Sequence, residues 1–159
     1  SRQLEDGAWY YGEAKKHHWI DVFHTGYKLE ALRRYRDFSG DTSFSAVLEK
    51  GYGFFKRHFF EPSGRVRYYH DRARPIDIQC ASQAIDTLCL FAPEDAEALP
   101  SAANAARWYI RRMQAPDGHF HFRHYARGVN NRAAMIHWGQ ATMHKALSHL
   151  LLAGRAGKG

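Results

Sequence analysis

Three stretches of the chain carry side chains able to move a proton or hold a charged ligand. Asp21-Val22-Phe23-His24-Thr25-Gly26-Tyr27 offers a carboxylate and an imidazole three positions apart, and polar groups recur at matching places in Asp77 to Gln83 and His137 to Gln140. A helix that begins at such a point presents unpaired amide donors and the positive end of its dipole, which suits an anionic sugar. Asp21, His24, Asp77 and His137 are therefore acid/base candidates, with Tyr27, Gln83 and Gln140 on the same lining. The competing reading is that both aspartates only cap helices and that the glutamines stitch neighbouring helices together.

A second cluster is Tyr68-Tyr69-His70-Asp71-Arg72-Ala73-Arg74. Here Tyr69 and His70 can exchange a proton with a sugar carbon or a glycosidic oxygen, while Arg72 and Arg74 grip a carboxylate in two-point contact. Phe120-His121-Phe122-Arg123-His124-Tyr125 repeats these materials and adds Arg123, His124 and Tyr125 to the ligand-binding candidates. Uronate chemistry, whether β-elimination or C5 epimerisation, requires such a set, because the carboxylate must be neutralised before the neighbouring C–H becomes acidic. The competing reading makes the tyrosines packing residues and His70-Asp71-Arg72 a solvated turn. Ordinary glycoside hydrolysis needs two carboxyls roughly 5 to 10 Å apart, for which Asp21 and Asp77 are the repeat-related pair. Hydrolysis thus ranks beside lyase and epimerase chemistry, not above it.

Other chemistries find less support. His119 and His121 share one face of a strand, with His70 or His124 as a third ligand, but no HExxH or C-x-x-C frame accompanies them, so no metal is expected. No cofactor is expected either. The aromatics Trp9, Tyr11 and Trp138 suit the apolar face of a pyranose, and packing between helices explains them equally well. A terpenoid cyclase would need a diphosphate-binding aspartate cluster, and no DDxxD-like run occurs.

The elements that must position these groups follow from an internal repeat. Asp6-Gly7-Ala8-Trp9-Tyr10-Tyr11, Ser63-Gly64-Arg65-Val66-Arg67-Tyr68 and Asp117-Gly118-His119-Phe120-His121-Phe122 share a small or acidic residue, a glycine and then alternating aromatic positions. Each reads as a tight turn leading into a short extended strip. About twenty residues after each glycine an inner helix is expected, at His24 to Phe38, Asp77 to Phe91 and Ile136 to Leu152, giving a repeat of roughly 55 residues. Outer helices are expected at Ser43 to Phe59 and Ser101 to Met113, capped from Ser39-Gly40-Asp41-Thr42 and Pro93-Glu94-Asp95. The order inner helix, outer helix, turn and strip is that of an all-α fold, an α/α toroid whose inner helices line a funnel. The sequence holds about two and a half such hairpins. The expectation is a single domain over residues 1–159 with a flexible tail at 154–159. Missing N-terminal repeats, or a homo-oligomer, would complete the barrel.

The strings WYYGEAKKHHWIDVFHTGYKLEAL (Trp9 to Leu32), YYHDRARPIDIQCASQAI (Tyr68 to Ile85) and MIHWGQATM (Met135 to Met143) resemble a bacterial family of six-hairpin α/α-toroid proteins linked to polysaccharide-biosynthesis loci. That family is similar to the six-hairpin glycosidases and to the prenyltransferase/squalene-oxidase repeats. The sequence departs from the family's pattern at Val22, where asparagine is usual, and at Ile136-His137, where a Tyr/Met-Arg pair is. The resemblance implies a carbohydrate-active protein working on acidic bacterial polysaccharide or its precursor. The alternative is a non-catalytic glycan-binding or assembly module.

Composition narrows the partners. With 159 residues, 45% hydrophobic and 25% charged, the chain has the make-up of one folded domain. Its longest apolar stretch, Ala146 to Ala153, is too short to span a bilayer, so no membrane partner is expected. No basic-then-apolar leader opens the sequence. Cys80 and Cys89 fall on one helix roughly 13 Å apart and cannot bridge each other, which suits a reducing, cytoplasmic setting. The net charge of +7 is arginine-heavy, 16 Arg to 7 Lys, and favours an acidic ligand. Nucleic acid is disfavoured because the basic residues are dispersed rather than aligned in a stripe.

Overall fold

The computed structural model describes residues 2–156. Five α-helices alternate in two layers. Helices α1 (Val22–Ser39), α3 (Ile78–Phe91) and α5 (Thr142–Ala156) form the inner layer, and α2 (Ser45–Phe59) and α4 (Ala98–Met113) back them. A π-helical segment, Ile136–Ala141, leads directly into α5. Both outer helices end within a residue of their expected limits. The inner helices agree with the reading from sequence to within a few residues, and α5 continues to Ala156, into the expected tail. The rest of that tail lies outside the described residues.

The repeat has a concrete backbone form. In each turn a glycine amide reaches back to the carbonyl three residues earlier: Gly7 to Leu4, Gly64 to Glu61 and Gly118 to Ala115. The three glycines have φ of 99°, 92° and 95°, a region that L side chains rarely adopt. Two of these turns dock on an outer helix. A Cβ at Gly7 would meet the Lys50 carbonyl of α2, and one at Gly64 would lie 2.6 Å from the Asn104 carbonyl of α4. Gly118 has no atom within 4 Å of that position.

Helix α3 sits between α1 and α5 and against α4, so it is buried on almost every side. This explains its run of Ile, Ala, Leu and Cys. Cys80 and Cys89 are both buried there as free thiols. The core continues through Leu29, Phe54, Phe55, Phe59, Tyr109 and Met113, all fully or almost fully enclosed. At the far end of the bundle, Arg33 pairs with Asp37 and Glu94, Arg36 also reaches Glu94, and Lys56 pairs with Asp95. No helix among the described residues is long and apolar enough to cross a membrane.

The extended strips make a small antiparallel sheet, β1 (Ile76–Asp77), β2 (Arg123–His124) and β3 (Asn130–Asn131), in the order β1-β2-β3. Asp77 faces Arg123 and Ile76 faces His124 across the first pair. The sheet stands at the leading end of α3, where the polar candidates gather.

Candidate active-site cleft

Asp21 and Asp77 occupy equivalent positions and both cap. The Asp21 carboxylate accepts the His24 amide at the start of α1, and that of Asp77 accepts the amides of Gln79 and Cys80 at the start of α3. Their remaining capacity goes to different partners. Both oxygens of Asp21 lie 2.9 Å from His24 Nδ1, and its Oδ2 also accepts from the Trp19 indole at 3.1 Å. A carboxylate only accepts, so Nδ1 carries the hydrogen and Nε2 is left as the basic nitrogen. Asp77 instead closes an ion pair with Arg123.

His24 keeps 41% of its side-chain surface while Asp21 is buried. The imidazole lies edge-on to Tyr11, with centroids 4.5 Å apart, and to Phe23 at 5.3 Å. Tyr11 in turn stacks on Trp19 at 4.5 Å. Beyond Phe23 opens a cleft of about 540 Å³, walled by Phe23 and Tyr27 of α1, Gln79 of α3, Phe122 and Arg123 of the strip, Trp138 of the π-helical segment and Thr142 of α5. All three inner helices thus contribute their leading ends to one hollow. Burial, with Glu30 adding to it, raises the Tyr27 phenol above its ordinary value, so it stays a neutral donor. Arg123 is held firmly cationic: burial opposes its charge, but Asp77 overcomes this. Its guanidinium lies over Phe122 and Tyr68.

Several candidates stand elsewhere, and each has a physical reason. Trp9 lies over the bare backbone of Gly51 on outer helix α2, where its ring fills the space a Cβ would take. Gln83 is buried at the α1–α3 crossing, donating to Glu30 at 2.6 Å and Thr87 at 3.1 Å. The Gln140 amide is committed at both ends to the backbone of Phe120. These three are fasteners. His70 turns to the outer layer, against Phe54 and His58 of α2, and its amide donates to Ile20. Tyr69 meets Asp21 in a backbone bridge, and its ring carries the Arg72 guanidinium at 4.5 Å. Arg72 is paired with its neighbour Asp71. His137 is exposed on the π-helical segment, next to Trp138. Arg74, His124 and Tyr125 gather at a separate groove on the sheet. As for the remaining histidines, His119 contacts Asp117, and His121 Nδ1 lies 3.3 Å from His124 Nε2.

The structure adds groups that the sequence reading did not single out. Glu30, buried on α1, receives Gln83. On α3 the buried Asp86 receives Lys145 and His149 from α5. Burial and the neighbouring Asp86 raise the Glu30 carboxyl. Burial also works against ionising Asp86, but the His149 and Lys145 hydrogen bonds prevail and hold it at about 2. A signal was available: Glu30 and Asp86 are 56 positions apart, the same spacing as Asp21 and Asp77. A larger hollow of about 620 Å³ lies at the opposite, C-terminal ends of α3 and α5, with Leu90, Leu152 and Ala153 in its mostly apolar wall. Arg33, Cys89 and His149, the last bonded through Nδ1 to Asp86, also line it.

No family model and no curated protein sequence matches the chain. Solved structures do match it in fold. Cellobiose 2-epimerase from Bacillus thermoamylovorans has a TM-score of 0.77 at 10% identity, over 96% of this chain and 46% of its own. Cellobiose 2-epimerase from Spirochaeta thermophila has a TM-score of 0.78 at 12% identity, over 97% and 44%. A sugar epimerase from a ruminal bacterium has a TM-score of 0.73 at 16% identity, over 96% and 45%. The chain spans less than half the length of these proteins. At such identities the likeness is one of fold, and the chain is an α/α toroid in part, about two and a half hairpins with their inner ends turned to one cleft.

Proposed function

We propose that this chain is the sugar-handling part of a carbohydrate-active enzyme that epimerises a sugar by proton transfer, with an acidic polysaccharide or its precursor as substrate. The observation that carries the reading is the His24 imidazole, fixed by a buried aspartate and standing beside an aromatic cleft. With Nδ1 held by Asp21, Nε2 accepts the proton from a carbon next to a carbonyl. Return of a proton to the opposite face inverts that carbon. His137, on the same segment as Trp138, is the second group available for that return. Phe23, Tyr27 and Trp138 offer faces for the ring, and Arg123 offers a fixed positive charge for a developing oxyanion or a substrate carboxylate.

Hydrolysis by the Asp21–Asp77 pair is disfavoured, because all four carboxylate oxygens already accept hydrogen bonds from the chain itself. Three fold neighbours described as epimerases support the same choice, while a fourth, with a TM-score of 0.59, is described as an alpha-amylase from Clostridium perfringens. A glycan-binding module without turnover is the second reading. It is favoured by the openness of the cleft, where Tyr27 and Trp138 are 46% and 56% exposed.

The test is incubation of the full-length protein with reducing disaccharides and uronic-acid oligosaccharides in D2O. Deuterium entering the sugar at the carbon beside the carbonyl, and lost in His24→Gln, is the expected result. Unsaturated ends would move the assignment to a lyase, and new reducing ends to a hydrolase. Binding with none of these changes would leave the module.

A further inference from the structure

Successive residues of a strand point to opposite faces, and β2 uses this to divide two hollows. Arg123 faces the cleft. His124 faces a groove of about 390 Å³ between the sheet and the C-terminal half of α4, walled chiefly by Arg65, Arg74, Arg112, Trp108, His124 and Tyr125. No acidic side chain lines it. Arg65 shares Glu61 with Arg67. Arg74 gives one nitrogen to the Tyr125 carbonyl at 2.9 Å, which fixes the direction of its fork. Among the described residues, no carboxylate pairs with Arg74 or Arg112. Burial, together with His121, Arg132 and Arg74, pushes the His124 imidazole down, as a site rich in positive charge should.

An ordinary solvated surface intersperses both signs of charge, and this groove has one. Nor does it suit another helix, because burying unpaired guanidinium groups carries a heavy desolvation penalty. Planar forks match carboxylate or sulfate oxygens in pairs. The half-buried Trp108 indole and the Tyr125 ring supply flat apolar surface, and the volume is that of a small-ligand pocket.

We propose that this outer groove is a second binding site, which takes an anionic sugar unit with its acid group between Arg74 and Arg112 and its ring against Trp108. The choice of a sugar rests on the carbohydrate reading of the cleft. The groove's own chemistry requires an acid group on a flat, compact ligand. The site holds an acidic glycan beside the cleft rather than in it, and so adds affinity for charged polymers without touching the reacting carbon.

The full-length chain is titrated by calorimetry with trigalacturonate, with its neutral methyl ester and with a short oligothymidylate of equal charge, at about 150 mM salt. Trigalacturonate should bind about 10-fold or more tightly than the ester. Arg74→Gln combined with Arg112→Gln should remove that advantage without moving Tm, and Trp108→Phe should weaken binding severalfold. Equal binding of acid and ester, or undiminished binding by the double variant, overturns the proposal. Tighter binding of the oligothymidylate overturns the assignment to sugar. The two sites fail separately. Arginine-dependent trigalacturonate binding in a protein that leaves every sugar unchanged keeps the groove and removes the epimerase reading. Deuterium exchange with no arginine-dependent binding does the reverse.

Discussion

The beginnings of α1 and α3 are the same device put to two uses. Each is capped by a buried aspartate, Asp21 or Asp77, 56 positions apart. Three residues on, α1 carries His24, open to solvent and oriented by its cap, whereas α3 carries Cys80, buried, with desolvation pushing its thiol well above its ordinary value. The spare oxygen of Asp21 meets the Trp19 indole, and that of Asp77 meets Arg123. Asp21 also holds the His24 imidazole with both oxygens, whereas Asp77 holds a guanidinium, and on the proposed reading that difference separates a helix start able to move a proton from one that is locked.

Four measurements would break or sharpen the contrast. The largest effect is expected at the start of α1: His24→Gln should lower the proposed turnover by roughly 10²–10⁴-fold while Tm hardly moves, and an equal loss from Cys80→Ala would erase the distinction. Asp77→Ala comes next, measured by urea unfolding. Loss of the cap and an unpaired, half-buried Arg123 should together cost about 3 kcal/mol. Asp21→Ala should cost about 1–2 kcal/mol, and Asp21→Asn less still, but with a clear loss of turnover because the amide no longer fixes the His24 tautomer.

The third concerns pH. His58, His121 and His124 are held below the ordinary imidazole value, in each case first by burial. The folded state therefore binds fewer protons than the unfolded one below about pH 6.5. Their contribution is full above that value and is lost as pH falls toward their folded values, so Tm should drop between pH 7.5 and 5.5. The slope should flatten in His121→Gln/His124→Gln, and a Tm that rises on acidification contradicts the assignment. The smallest signal is thiol reactivity. Cys80, and Cys89, which burial pushes up to about 12, should resist iodoacetamide in the folded protein and react only on unfolding.

The architecture was legible because it is written as repetition. Gly7, Gly64 and Gly118 each need a positive φ, and the helical spacing after them leaves little freedom, so the two-layer order and the helix limits follow. Side-chain direction was less legible. His70 and Tyr69 are adjacent, and only the pairing of residues 20–22 with 68–70 decides which of them meets the outer layer. For Arg123 and His124 the signal was present, since the period of two that relates His119 to His121 also sends these neighbours to opposite faces. Gln83 and Gln140 read equally as ligands or fasteners, because an amide serves both. Partners from distant elements, Glu30 and Phe120, settle the matter. Glu30 and Asp86 escaped notice because charged residues on helices usually meet water.

The short run from Phe120 to His124 carries a constraint on how this protein can vary. Phe120 is pinned by Gln140, and Arg123 by Asp77, so the run is fixed at both ends. Inserting or deleting one residue between those pins would turn the arginine outward and the histidine inward, exchanging a permanent cation for a titratable ring in both hollows at once. Length changes here should therefore be tolerated only in twos, and selection on either hollow acts on its neighbour as well.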